Sequence, residues 1–61
     1  MATTPQLKKI RETKLMTQKA LGEAAGVHEI TVVRLEGGGN AQFSTIRKLA
    51  EALGVDATEL L

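Results

Sequence analysis

The chain has 61 residues, a formal net charge of +1 and no cysteine, and 43% of its residues are hydrophobic. This length predicts a single small domain of marginal stability over residues 1–61, and the lack of cysteine excludes disulfides and thiolate-bound zinc. A single histidine argues against a metal site or a catalytic cluster, and no apolar run approaches the roughly 20 residues that cross a bilayer. We therefore expect no enzymatic activity, no cofactor, no small-molecule substrate and no membrane contact, and a cytoplasmic location.

The charges are distributed unevenly along the chain. Residues 1–20 hold five basic residues against Glu12 alone, for a net charge of +4, whereas residues 21–61 hold three basic residues against six acids, for −3. A basic end favours phosphate or an acidic partner. A solvated helix face without any partner explains the same distribution equally well, so charge alone does not decide.

The apolar spacing is helical throughout, and no segment alternates with a period of two, which predicts an all-α fold without strands. The first helix is predicted to begin at Thr4–Pro5, a capping hydroxyl followed by proline. Its inner face would contain Leu7, Ile10, Arg11 and Lys14. A second helix, capped by Thr17, is predicted over residues 18–25 and ends at Gly26.

Three further helices follow in the prediction. The third runs over residues 29–36 and ends at the glycines 37–39, because consecutive glycines cost too much backbone entropy in a helix. The fourth runs over residues 43–53 and ends at Gly54, with an inner face of Phe43, Ile46, Leu49, Ala50 and Leu53. A capping box at Asp56–Glu59 opens a fifth, short helix. The expected architecture is a compact five-helix domain.

Residues 17–36 have the pattern of two helices that cross at a glycine corner. Leu21, Val32 and Leu35 supply a shared apolar core, while Gly22 lets the second of these helices approach closely. Gly26 makes the corner between them. This is the arrangement of a helix-turn-helix, in which two helices cross at about 90–120°.

With this corner in place, the chain resembles the phage repressor and Cro-like helix-turn-helix regulators over nearly its whole length. Four segments carry the resemblance: Leu15-x-Thr17-Gln18-x-x-Leu21, Gly26-Val27, Val32-x-Arg34-Leu35-Glu36-x-Gly38 and Leu49-Ala50-Glu51-Ala52-Leu53-Gly54-Val55. The resemblance implies a lambda repressor-like fold that binds double-stranded DNA in a sequence-specific way. It further implies a transcriptional regulator, a repressor, associated with the nucleoid.

In that family the third helix enters the major groove. The resemblance thus assigns four residues to base edges: Glu29, Ile30, Val33 and Arg34. Arg34 would bind a guanine, the methyl groups of Ile30 and Val33 suit thymine, and Glu29 would accept from a cytosine amino group. The residues that would contact phosphates are Thr17, Gln18, Lys19, His28, Thr31, Asn40 and Gln42, of which Thr31 would contact a phosphate or a base.

Three of the four base-edge assignments have an alternative. The helix dipole alone favours Glu29 in a first helical turn. Ile30 and Val33 would also suit a protein-binding patch, and Val33 would also fit as part of the core. The competing function is therefore a protein–protein interaction module, antitoxin-like or coactivator-like, on the same fold.

The resemblance also implies two structural contacts. Arg11 of the first helix would pair with Glu36 at the end of the third, which makes Glu36 a structural residue. The loop after the third helix lacks the basic residues that often contact the DNA backbone, so we expect each monomer to bind weakly. A homodimer on a two-fold operator would compensate, with Leu60–Leu61 as the pairing surface or, alternatively, as part of the core.

Overall fold

The computed structural model describes residues 1–61, which form four α-helices, a short 3-10 helix and a two-stranded ribbon. The α-helices are α1 (Leu7–Thr13), α2 (Gln18–Ala25), α3 (Glu29–Glu36) and α4 (Phe43–Leu53), and the 3-10 helix spans Ala57–Leu60. The strands β1 (Ala2–Thr3) and β2 (Asn40–Ala41) pair antiparallel, with Thr3 opposite Asn40. None of the helices combines the length and the apolar character needed to cross a bilayer.

The prediction of five helices and no strands was wrong in two respects. The fifth helix is a 3-10 turn of four residues, although its capping box between Asp56 and Glu59 is present. The ribbon was not predicted from the sequence because strands of two residues are too short to show a period of two. The ribbon ties the N-terminus of the chain to the loop between α3 and α4.

The core lies between all four helices and the 3-10 helix. Its buried apolar side chains are Leu7, Leu21, Val32, Leu35, Ala41, Ile46, Leu49, Ala50, Leu53 and Leu60. Two residues predicted to face inward are exposed instead. Lys14 follows the last residue of α1 and is its C-cap, while Phe43 is the first residue of α4 and is 55% exposed. Helical periodicity assigns both to inner faces, but each lies at a helix end, Lys14 just after α1 and Phe43 at the first position of α4.

The start of α1 also differs from the prediction. The helix begins at Leu7 with Gln6 as its N-cap, and no side chain caps it. The backbone carbonyl of Thr4 accepts from the Leu7 amide at 3.1 Å, but the Thr4 side chain is buried and its Oγ1 has no hydrogen-bond partner. A buried hydroxyl without a partner is destabilising, because it has lost its bonds to water.

Replacing Thr4 with valine should therefore stabilise the domain by about 1 kcal/mol, since valine has the same shape and no polar atom to leave unpaired. Urea unfolding followed by circular dichroism measures the change. Thr3→Val at the exposed neighbouring position is the control and should change the free energy of unfolding by less than about 0.5 kcal/mol. A loss of stability in Thr4→Val would show that the hydroxyl is satisfied.

The turn between α1 and α2 contains a strained leucine. Leu15 has a φ of 56°, in the left-handed region, and its side chain is 93% exposed. This conformation is unfavourable for residues with a Cβ and is tolerated best by glycine and asparagine. The Leu15 side chain buries almost no apolar surface that would offset this unfavourable backbone conformation.

Leu15→Asn should accordingly be more stable than Leu15→Ala by about 1 kcal/mol, because both substitutions remove the exposed side chain but only asparagine suits the left-handed backbone. Thermal unfolding of the two variants compares them directly. Equal melting temperatures would mean that the turn changes its conformation freely.

Candidate nucleic-acid interface

The corner between α2 and α3 is built from three local features. The Thr17 hydroxyl caps α2 by accepting from the Ala20 amide at 3.0 Å. Gly26 ends α2 with a φ of 73°, a conformation for which glycine has no steric penalty. Gly22 is buried, and a Cβ there would lie 3.0 Å from the Val27 carbonyl oxygen. All three roles were predicted from the sequence, and together they set α3 closely across α2.

His28 begins α3 as its N-cap. Its ring Nδ1 accepts a hydrogen bond from the Ile30 amide at 3.1 Å, in the place where serine or threonine usually acts. A neutral imidazole whose Nδ1 accepts carries its proton on Nε2. Because the residue is exposed, this N–H can donate to an approaching anion. The capping role was not foreseen from the sequence.

The solvent-facing side of α3 carries all four residues assigned to base edges. Ile30 is 68% exposed and Val33 is 46% exposed, while Val32 and Leu35 are buried in the core. Glu29 and Arg34 are exposed as well, and Thr31 is half-buried. Val33 therefore does not belong to the core, which removes that alternative. We name the exposed set Glu29, Ile30, Val33 and Arg34 the α3 ridge.

Arg34 does not extend freely into solvent. Its Nη1 donates to the backbone carbonyl of Asn40 at 2.8 Å, so the side chain lies along the loop that follows α3. The backbone of that loop also contacts the helix end, because the Gly39 amide donates to the Arg34 carbonyl at 3.0 Å. These contacts link the α3 ridge to the ribbon, whose second strand begins at Asn40.

The residues assigned to phosphates lie at three places, one of which is the start of α3 with His28 and Thr31. Thr17, Gln18 and Lys19 surround the N-terminus of α2, where Thr17 and Lys19 are exposed and Gln18 is half-buried. Asn40 and Gln42 are exposed in the connection between α3 and α4. The Gln18 side chain is engaged within the protein, since its Nε2 donates to Glu36 Oε1 at 3.0 Å. Its second Nε2 proton remains available to a ligand.

An ion pair joins α1 to the end of α3. Arg11 Nε donates to Glu36 Oε2 at 2.6 Å, and Nη2 donates to Oε1 at 3.0 Å, which gives a bidentate pair. The remaining Arg11 Nη1 donates to the carbonyl of Met16 at 2.7 Å. Both side chains are largely buried, with 10% of Arg11 and 5% of Glu36 exposed. The pair and Gln18 thus hold three helices in a fixed relation.

This network shifts the pKa of both partners. The hydrogen bond to Glu36 raises the pKa of Arg11, against the opposing effect of burial. Burial tends to raise the pKa of the Glu36 carboxyl, but the hydrogen bonds from Arg11 and Gln18, with the charges of Arg11 and Lys8, outweigh it and lower the pKa. The two side chains are therefore charged at neutral pH, and Glu36 is occupied by protein donors. No group of three or more histidine, cysteine, aspartate or glutamate side chains converges in the structure to hold a metal ion.

Comparison with known proteins places this geometry in a family. Residues 7–60 match the sequence profile of the helix-turn-helix family. No curated protein sequence matches the chain significantly. Among solved structures, the chain is similar to the restriction-modification controller protein C.AhdI from Aeromonas hydrophila, with 30% identity and a TM-score of 0.88 over 95% of this chain and 89% of that one. The chain therefore belongs to the Cro-like helix-turn-helix family of DNA-binding transcription regulators.

Proposed function

We propose that the chain reads a specific DNA sequence by placing α3 in the major groove. The observation that carries this proposal is the α3 ridge. Ile30 and Val33 are exposed on a helix whose opposite face, Val32 and Leu35, is fully packed. Exposed aliphatic side chains beside a glutamate and an arginine are the residue types that contact thymine methyl groups, cytosine amino groups and guanine edges.

The α2 N-terminus supports this docking. The amide groups at the start of a helix attract phosphate, and Thr17 and Lys19 lie beside them in exposed positions. His28 Nε2, at the start of α3, would donate to a phosphate on the same DNA strand or across the groove. Asn40 and Gln42 would meet the backbone on the far side. We also assign Thr31 and Gln18 to contacts with phosphates. Contacts of this kind position the protein on the DNA without reading the base sequence.

We propose further that the protein is a repressor that binds a two-fold operator as a homodimer. The two terminal leucines differ in burial, because Leu60 lies in the core whereas Leu61 is 51% exposed. Leu61 and the exposed Phe43 line one groove with Ala57 and Ile46, and this apolar groove is the surface we assign to the second copy. The similarity to a restriction-modification controller supports a regulatory role. Sedimentation of the free protein and of its DNA complex tests the stoichiometry, and a monomer on DNA would refute the dimer.

A protein–protein interaction module is the second candidate function. It is favoured by the apolar side chains of Ile30 and Val33, by the acid Glu29 and by the loop Gly37–Gly39, which offers no charge to a phosphate. On this alternative the α3 ridge would bind a partner protein, as in an antitoxin or a coactivator. The two functions differ in whether the protein discriminates among DNA sequences.

Selection of bound duplexes from a random pool tests the proposal. We expect an enriched two-fold sequence, and we expect Ile30→Ala combined with Val33→Ala to reduce its affinity at least about 10-fold by removing apolar contacts to bases. Ala24→Ser, an exposed change on α2 outside the α3 ridge, the phosphate-contacting residues and the apolar groove, is the control and should leave affinity unchanged. Equal binding of all duplexes would make the interaction module the better account.

A further inference from the structure

We propose that Gly39 and the Asn40 carbonyl form a seat that holds the Arg34 guanidinium in the orientation used to read a base. The proposal deepens the DNA-binding function proposed above and rests on it. Gly39 and Asn40 would act as positioning residues, whereas Arg34 would be the residue that touches the DNA. The family resemblance assigns Arg34 to a guanine, whereas Gly39 was predicted from the sequence only to help end the third helix.

The contacts around Arg34 define this seat. Nη1 donates to the Asn40 carbonyl at 2.8 Å, and the side chain lies against Gly39. A Cβ at position 39 would lie 2.8 Å from Arg34 Nη1 and 3.1 Å from its Cγ, and 2.9 Å from the Arg34 carbonyl oxygen. Real Cβ atoms do not approach other atoms as closely as 2.8 or 2.9 Å, and 3.1 Å is a tight contact, so a side chain at position 39 would displace the Arg34 side chain or the loop backbone.

The chemistry of the guanidinium explains why such a seat would matter. Arginine has five N–H donors in a planar fork, and the Asn40 carbonyl uses one of them. The Nε and Nη2 groups have no partner within the protein, so they can donate to the two acceptors of a guanine. Holding a long side chain in place before binding removes part of the ordering entropy that association would otherwise cost.

The ribbon gives the seat a rigid support. Asn40 begins β2 and lies opposite Thr3 of β1, so the carbonyl that receives Arg34 belongs to a paired strand and not to a free loop. The Gly39 amide donates to the Arg34 carbonyl, which fixes the same loop to the end of α3. The N-terminal residues thereby stabilise the position of a side chain on the α3 ridge.

The loop contains a matched control for Gly39. A Cβ at Gly37 would lie 3.5 Å from the Arg34 carbonyl oxygen and 3.6 Å from that of Val33, both ordinary contacts. Gly37 has a φ of −83°, which alanine adopts without strain. Gly37→Ala therefore changes the same loop by the same methyl group without entering the space of Arg34.

The DNA experiment measures base preference at each position of the selected sequence, for wild type, Gly39→Ala, Gly37→Ala and Arg34→Ala. We expect Arg34→Ala to lose at least about 5-fold preference at one base pair, and Gly39→Ala to lose preference at that same pair. Gly37→Ala should stay within about 2-fold of wild type everywhere. In the Arg34→Ala background, Gly39→Ala should add nothing at that pair. A uniform loss at all positions in Gly39→Ala, or an additive loss in the double variant, would overturn the proposal.

A second measurement needs no DNA. Nitrogen-15 relaxation of the Arg34 Nε in the free wild-type protein should show a restricted side chain, whereas the Nε of the exposed Arg47 should be mobile. This comparison stands even if Gly39→Ala fails to fold, and equal mobility of the two arginines would overturn the seat. A restricted Arg34 side chain in a wild-type protein that prefers no duplex would mean that the seat exists but that the proposed reading of DNA fails. The role of the seat in reading a base would then fail as well.

Discussion

Arg11→Ala is expected to lower the free energy of unfolding by about 3–5 kcal/mol. The substitution leaves the Glu36 carboxylate, whose side chain is only 5% exposed, without its charged partner. It also removes the donor to the Met16 carbonyl. A domain of this size has few kilocalories of net stability, so the variant should be largely unfolded at 37 °C. Urea unfolding at low temperature, followed by circular dichroism, measures the loss.

Two further variants separate the cost of leaving Glu36 without a partner from the net contribution of the ion pair to the free energy of unfolding. Arg47→Ala removes an exposed arginine and should change stability by less than about 0.5 kcal/mol. Arg11→Met combined with Glu36→Leu replaces both charges by apolar groups, and it should recover most of the stability that Arg11→Ala loses, because no buried charge remains unpaired. A loss below about 1 kcal/mol in Arg11→Ala would mean that water reaches the Glu36 carboxylate.

The same pair gives stability a dependence on pH. The pKa of Glu36 is lower in the folded protein than its ordinary value of 4.5, so the folded state releases this proton more readily than the unfolded chain does. The resulting stabilisation is fully present above the unfolded pKa and is lost as the pH falls through the folded one. Wild type should lose stability below about pH 4.5, and Glu36→Gln should show a smaller loss over that interval. Parallel curves for the two proteins would contradict this.

Apolar periodicity predicted the helices well because their apolar residues recur three and four positions apart. The bounds predicted for the second, third and fourth helices agree with Gln18–Ala25, Glu29–Glu36 and Phe43–Leu53. The errors occur where the local pattern carries no information. A strand of two residues has no period, and the tertiary pairing that forms it involves residues nearly 40 positions apart. Lys14 and Phe43 fit a helical stripe, but they lie at helix ends where the stripe no longer meets the core.

The exposure of the α3 ridge followed from the same periodicity, since inward packing of Val32 and Leu35 turns Ile30 and Val33 outward. The hydrogen bonds of the long polar side chains did not follow. Gln18 bonds to Glu36, and Arg34 bonds to the Asn40 carbonyl. Such contacts depend on how distant segments are placed in three dimensions. The sequence alone does not determine which of several rotamers each long side chain adopts.

Gly22→Val is expected to destabilise the crossing of α2 and α3 within the helix-turn-helix. A Cβ at this position would lie 3.0 Å from the Val27 carbonyl oxygen, 3.2 Å from the Glu29 amide nitrogen and 3.3 Å from the Glu29 Cα. All three are backbone atoms of the turn and the start of α3, which cannot move aside as a side chain can. Overpacking of a close contact typically costs about 1–3 kcal/mol, and valine, with two further methyl groups, should reach the upper end of that range.

Ala24→Val is the matched control, because it introduces valine at an exposed position of the same helix and should cost only the helix propensity of valine, less than about 0.7 kcal/mol. The milder Gly22→Ala separates stability from function. It has the better helix propensity, which offsets part of the overlap, so this variant should remain folded. Its single methyl group would still displace the start of α3 from α2. We therefore expect Gly22→Ala to weaken binding to the selected duplex more than Ala24→Val does, at a temperature where both are folded. Equal affinities would mean that DNA binding tolerates a change in the crossing of the two helices.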